Sequence, residues 1–166
     1  MLDTIENIKH THDKIARVML DVSDLAGSRS RLKRPLFDRA KKELLILQKA
    51  EEDVLYEELE GSAVDKQVKQ LQKENETIKS LIHSLSKQDI YSDEWDQEYI
   101  RLQKRVFKQF DREESKLLDK NEEDIIEDDQ LAENFDDKKR ELWKTESFAV
   151  PVAPSEDFSK VVRKAA

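Results

Sequence analysis

The chain has 166 residues, of which 41% are charged, two are glycine and three are proline, a composition that favours long solvent-exposed helices over a sheet. Its net charge of −8 works against general nucleic-acid binding, and the absence of cysteine excludes disulfides, thiolate metal sites and thiol nucleophiles. No apolar run approaches the roughly 20 residues of a membrane span or forms a secretory core, so we expect a cytoplasmic protein with no membrane contact.

Apolar residues spaced by three or four along the chain predict a first helix over residues 3–25 and a second over residues 35–60. One polar side chain interrupts each apolar stripe, His12 in the first helix and Glu51 in the second. Gly61 follows the second helix in the position that a left-handed C-cap would use.

A short basic stretch separates these two helices and contrasts with the acidic character of the chain. It consists of Arg29, Arg31, Lys33 and Arg34. We expect a solvated loop over Arg29–Arg34, and the alternative is a surface that docks an anion or a protein partner.

Two further helices follow with the same pattern of interrupted stripes. Asn75 lies within the apolar stripe of the third predicted helix. The fourth begins at Ser92 or Asp93, either of which could cap it, and Gln109 and Glu113 interrupt its stripe.

The five interrupting residues form what we call the polar layer: His12, Glu51, Asn75, Gln109 and Glu113. Each lies within about two turns of the midpoint of its helix, so an up-down-up-down four-helix bundle would bring them to one level of an all-α core. The spacing therefore predicts a polar site inside that bundle.

The C-terminal part of the chain is predicted to lie outside the bundle. An acidic linker over residues 119–129 precedes an amphipathic segment, residues 128–144, that predicts an additional C-terminal helix. Two prolines then prevent a helix. We divide the chain into a helical bundle over residues 1–145 and a flexible C-terminal arm over residues 146–166, which could dock on the bundle or on a protein partner.

Five blocks of sequence, taken in order, resemble the hemerythrin-like, or HHE cation-binding, family. They are THDKI at Thr11–Ile15, AEEDVLYEEL at Ala50–Leu59, ENETIKSLI at Glu74–Ile82, DREESKLLDK at Asp111–Lys120 and DDQLAENFDDKKRELW at Asp128–Trp143. The resemblance spans about residues 3 to 144. It implies a four-helix bundle that holds two non-haem irons between histidines and carboxylates, with dioxygen or nitric oxide binding, iron handling and redox sensing among its uses.

The resemblance assigns each metal-ligand position of the family to one residue of this chain. Three positions keep a ligand, and these are His12, Glu51 and Glu113. The other three histidine positions fall on Leu47, Asn75 and Gln109. Because leucine cannot ligate and amides are poor donors to Fe(II), we do not expect an intact di-iron oxygen carrier.

Two interpretations of the remaining polar layer stay open. In a metal-free network, a protonated His12 bonds one glutamate, the other glutamate keeps a proton, and the two amides fill the remaining bonds. In a weak or mononuclear site, His12, Glu51 and Glu113 hold one divalent ion, either iron, zinc or manganese.

We assign no catalytic residues and no organic cofactor, because two glycines cannot form a phosphate-binding loop and no nucleophilic triad stands out. The sequence predicts a non-enzymatic binding, sensing or scaffold protein with a degenerate di-iron site, which is a monomer or a weak dimer. The alternative is a metal-binding protein of metal homeostasis or of the response to oxygen or nitrosative stress.

Overall fold

A computed structural model describes residues 3–119 and 128–145 of the protein. The helices within these ranges are α1 (Thr4–Ser23), α2 (Lys33–Ala50), α3 (Asp65–Lys87), α4 (Asp93–Glu113) and α5 (Asp129–Lys144). No strand occurs in the described ranges. The predicted all-α class is confirmed, as is a four-helix bundle with an additional C-terminal helix.

The bundle core forms where the predicted apolar stripes face one another. α1 packs against α2 and α4, and α3 packs against α4. Side chains such as Ile8, Leu44, Ile78 and Val106 are at most 2% exposed, and burial of each stabilises the fold by about 1.5–3 kcal/mol. The three- and four-residue spacing thus identified the buried face of each helix.

Two helices end in π-helical turns that the sequence did not predict. α2 continues through a π-helical turn, Glu51–Leu55, and a short α-helical turn, Tyr56–Glu58. α4 continues through a second π-helical turn, Glu114–Leu118. The predicted second helix therefore contains a local change in helical pitch. This change begins at Glu51.

The helix termini follow the predicted signals. Ser92 is the N-cap of α4, and its Oγ accepts a hydrogen bond from the backbone N–H of Trp95 at 3.1 Å. Gly61 adopts a φ of +75°, a left-handed conformation that a residue with a Cβ rarely takes. It ends the helical path that begins with α2.

α5 packs on the outside of the bundle against α2, the π-helical turn Glu51–Leu55 and α1. A hydrogen-bonded cluster joins it to α1, because Asn7 Nδ2 donates to Asp136 and Lys139 Nζ donates to Asn7 Oδ1 at 2.9 Å. Burial lowers the pKa of Lys139. The prediction of an external fifth helix is confirmed.

The predicted solvated loop over Arg29–Arg34 is wrong at Lys33. Arg29 and Arg31 are exposed, but Lys33 is the first residue of α2 and is fully buried. Its Nζ lies 2.7 Å from Asp96 Oδ1 and 5.0 Å from the centroid of the Trp95 ring. The side chain enters the core because an acidic partner and an aromatic face compensate its charge there.

The C-terminal arm over residues 146–166 lies outside the described residues, as does most of the acidic linker. None of the described helices is both long enough and apolar enough to cross a membrane.

Candidate metal centre

Three buried side chains from three helices converge in the polar layer. His12 comes from the middle of α1, Glu51 from the π-helical turn after α2, and Glu113 from the last position of α4. One nitrogen of the imidazole and one oxygen of each carboxylate lie within 4.8 Å of one another. The structure therefore brings together the three residues that the sequence proposed as ligands.

The imidazole of His12 is held in place by a ring contact, with no hydrogen bond to either nitrogen from the described residues. Its ring stacks on Phe110 with the centroids 3.9 Å apart. Nδ1 lies 3.8 Å from Glu114 Oε2, which is beyond hydrogen-bond distance. Glu113 Oε1 is also buried without a hydrogen-bond partner in the described ranges. Three potential ligand atoms are therefore unpartnered within the core.

Tyr56 connects the two carboxylates. Its hydroxyl oxygen lies 3.0 Å from Glu51 Oε2 and 3.0 Å from Glu113 Oε2. A phenol donates only one hydrogen, so the second contact needs a proton on a carboxyl group. Burial raises the pKa of Glu51 well above its ordinary value, and the neighbouring Glu113 raises it further. Both causes favour the neutral carboxyl of Glu51, which can supply this second hydrogen bond.

The position of Tyr56 depends on the π-helical turn that begins at Glu51. The backbone N–H of Tyr56 donates to the carbonyl of Glu51, five residues earlier. In an α-helix, residues five apart point about 140° away from each other, so regular helical spacing places Tyr56 off the inner face. Sequence reasoning missed it for this reason, although such turns are frequent at functional sites.

The convergence of three potential metal ligands agrees with the family to which the sequence is similar. The Hemerythrin HHE cation binding domain matches residues 3–120. The chain belongs to this family. No curated protein and no solved structure matches the chain. The match covers α1 to α4 and ends before α5, so the resemblance that the sequence suggested up to residue 144 is established only as far as residue 120.

Leu47, Asn75 and Gln109 lie where the sequence resemblance predicted histidine positions of the family, and the two amides are hydrogen-bonded to each other. Asn75 Nδ2 donates to Glu52 Oε1 at 3.0 Å, and Gln109 Nε2 donates to Asn75 Oδ1 and to the carbonyl of Leu71. Leu47, only 1% exposed, belongs to the hydrophobic core. This side of the polar layer is therefore a closed network of amides next to hydrocarbon.

The donor set decides which metal complement fits. On one side, the unpartnered atoms of His12 and Glu113, together with Glu51, suit a single cation, because one imidazole and two carboxylates are ordinary ligands for zinc, manganese or iron. On the other side, Asn75, Gln109 and Leu47 offer no imidazole to a second ion. The residues present fit one cation and do not fit the family's two irons.

Tyr56 also lies between the polar layer and the surface, since it lines a cleft of about 330 Å³. Carboxylates from five residues line the same cleft, and these are Glu52, Asp53, Glu57, Glu60 and Asp65. Lys69 contributes one positive charge and pairs with Asp65 at 3.0 Å. An acidic cleft therefore borders the candidate centre on the side of Tyr56.

Proposed function

We propose that this protein binds a single metal cation through His12, Glu51 and Glu113, and that it is a non-enzymatic binding or sensing member of the hemerythrin family. The observation that carries the proposal is the set of buried, unpartnered ligand atoms on His12 and Glu113. A cation would compensate them, whereas an unpaired buried polar or charged group costs several kcal/mol.

A cation at this position would supply charge compensation and would crosslink the fold. His12 lies on α1, Glu51 follows α2 and Glu113 ends α4, so one ion would connect three of the four bundle helices. Because binding to the folded state alone adds its free energy to stability, occupancy would change the rigidity of the bundle. Such a coupling suits a protein that senses or stores a metal.

Reversible dioxygen binding at a di-iron centre is not part of the proposal. That chemistry needs several imidazoles around each iron, and three of the family's histidine positions hold Leu47, Asn75 and Gln109 in this chain. We also propose that no catalysis occurs at the centre, since the sequence offers neither a thiol nucleophile nor a glycine-rich phosphate loop.

A metal-free scaffold is the second candidate function, and a specific observation favours it. Tyr56 already bridges the two glutamates, and the chain from Glu52 through Asn75 to Gln109 is hydrogen-bonded without any ion. In this alternative the polar layer fixes the packing of the helices, and the function lies on the protein surface.

Metal analysis of the purified protein, followed by titration with Zn(II) and Mn(II), tests the proposal. We expect one ion per chain in the native protein and no uptake by Glu113→Gln. Glu43→Gln is the matched control, because Glu43 is also a buried glutamate but its Oε1 is already paired with Lys14 at 3.3 Å. The control variant should bind as the native chain does.

A restored ligand set provides the complementary test. The variant Leu47→His/Asn75→His/Gln109→His replaces the three departures from the family pattern, and we expect it to take up a second iron. Two irons in the native chain would contradict the single-cation proposal. A native chain without metal, combined with iron uptake by the restored variant, would favour the scaffold.

A further inference from the structure

We propose that Tyr56 is a fourth protein ligand of the cation, added to His12, Glu51 and Glu113, and that the site it completes is selective for ferric iron. This inference rests on the proposed function and makes it more specific. It depends on a residue that lies outside the family's histidine and carboxylate positions.

The spacing of the oxygens is the first argument. Ligand atoms about 2.1 Å from a metal and at right angles to each other lie about 3.0 Å apart. The Tyr56 hydroxyl oxygen lies 3.0 Å from one oxygen of Glu51 and 3.0 Å from one oxygen of Glu113. The phenol oxygen therefore already has the spacing that neighbouring ligands adopt, and it needs no large movement to join them.

Charge balance is the second argument, and it identifies the oxidation state. With two carboxylates, one phenolate and a neutral imidazole, the four side chains carry three negative charges. A trivalent ion neutralises them completely, whereas a divalent ion leaves one net negative charge in a buried site, which is costly in a low-dielectric core. Hard oxygen donors also suit a hard trivalent cation.

The proton balance of the step is simple. As the Tyr56 oxygen bonds the ion, its O–H bond breaks and the proton leaves for solvent. The proton on Glu51 is released in the same way, and no group is oxidised or reduced. Tyr56 also lines the acidic cleft, so among the four proposed ligands its side chain is the one that borders this surface.

A fourth protein ligand also bears on what the site does. In zinc proteins, sites with four protein ligands are commonly structural, whereas catalytic sites have three and keep one position open for water or substrate. Ligation by Tyr56 would hold the ion by four side chains from the bundle core, which agrees with a binding or sensing role.

The chain has three tyrosines, which permits a direct test of the ligand. They are Tyr56, Tyr91 and Tyr99, so Tyr91→Phe/Tyr99→Phe leaves Tyr56 as the only phenol. The protein is titrated with Fe(III) supplied as ferric nitrilotriacetate. We expect the native chain and the double variant to show a phenolate-to-iron absorption band in the visible region, with phenolate ring modes in the resonance Raman spectrum.

Tyr56→Phe removes the proposed ligand oxygen. Tyr99→Phe is the control, because the buried hydroxyl of Tyr99 donates to the Met19 carbonyl at 2.6 Å, away from the polar layer. We expect Tyr56→Phe to lose the band and to bind Fe(III) at least about tenfold more weakly. Zn(II) affinity should change less.

The outcomes separate this inference from the proposed function. A ferric protein without the band, or a band that persists in Tyr56→Phe, would overturn the role of Tyr56 even if zinc binds with a stoichiometry of one. Failure of the native chain to bind any of these metals would overturn both proposals. If Tyr56→Phe does not fold, as judged by circular dichroism, the spectrum of Tyr91→Phe/Tyr99→Phe still decides.

Discussion

The two ends of α2 and α4 bury charge in opposite ways. Near their N-termini lies what we call the aromatic end, where Lys33 pairs with Asp96 and lies over the ring of Trp95, which in turn stacks on Tyr99. Asp96 Oδ2 also accepts the N–H of Gly27 at 2.8 Å. Near the C-termini of the same two helices lies the polar layer, whose imidazole nitrogens have no hydrogen-bond partner in the described ranges.

This difference shows how a buried charge indicates structure at one site and ligand binding at another. At the aromatic end the ammonium and the carboxylate satisfy each other, so nothing remains for a ligand to compensate. In the polar layer an imidazole and two carboxyl groups converge, and part of their hydrogen-bonding capacity is unused. The convergence of incompletely satisfied ligand groups, rather than burial itself, marks the candidate site.

The largest expected effect tests the structural role of the aromatic end. Asp96→Ala leaves the buried Lys33 charge without its partner, so we expect a loss of about 3–5 kcal/mol in the free energy of unfolding. Asp93→Ala, an exposed residue in the same first turn of α4, should cost far less. Urea unfolding measures both, and equal losses would contradict the assigned role of the pair.

A second prediction concerns stabilisation by the cation. At a free cation concentration of 100 times its dissociation constant, the native chain should gain about 2.7 kcal/mol in unfolding free energy. Glu113→Gln should lose this gain, because it removes a ligand from the polar layer. Asp96→Ala should keep the gain in spite of its lower stability, since the two ends act independently.

Thermal or urea unfolding with and without zinc measures that gain. Loss of the gain in Asp96→Ala would show that the two ends are coupled. Burial of Lys33 and cation binding would then depend on each other.

The sequence predicted the elements that depend on regular helical spacing. The positions of His12 and Asn75 on inner faces followed from the three- and four-residue period, and both are buried. Likewise, Ser92 was one of two predicted N-caps because a hydroxyl suits that position, and it caps α4. These features depend on local chemistry, which a single sequence contains.

The features that the sequence did not predict depend on departures from that period or on distant partners. Tyr56 reaches the glutamates only because the helix changes pitch at Glu51. Lys33 is buried because of Asp96, which is 63 residues away in the chain, and a basic residue two positions before a proline looks like part of a loop. Neither contact is visible in the three- and four-residue spacing of apolar residues in the sequence.

The smallest expected effect concerns the pH dependence of stability in the polar layer. Burial, and then the charge of Glu113, raises the pKa of Glu51 above its value in the unfolded chain. The neutral carboxyl therefore stabilises the fold fully below the unfolded-state value, and this contribution is lost as the pH rises through the folded-state value. Glu51→Gln keeps a neutral side chain at every pH.

In the presence of a chelator, Glu51→Gln should consequently be more stable than the native chain at about pH 8, by about 1–3 kcal/mol, with a smaller difference at about pH 5. At a saturating concentration of cation the native chain should instead be the more stable of the two, since Glu51→Gln lacks a ligand. Urea unfolding at both pH values measures the difference, with Glu43→Gln as the control. A native chain whose stability does not fall relative to Glu51→Gln as the pH rises would show that the carboxyl is already compensated. The polar layer would then resemble the aromatic end, where each buried charge has its partner.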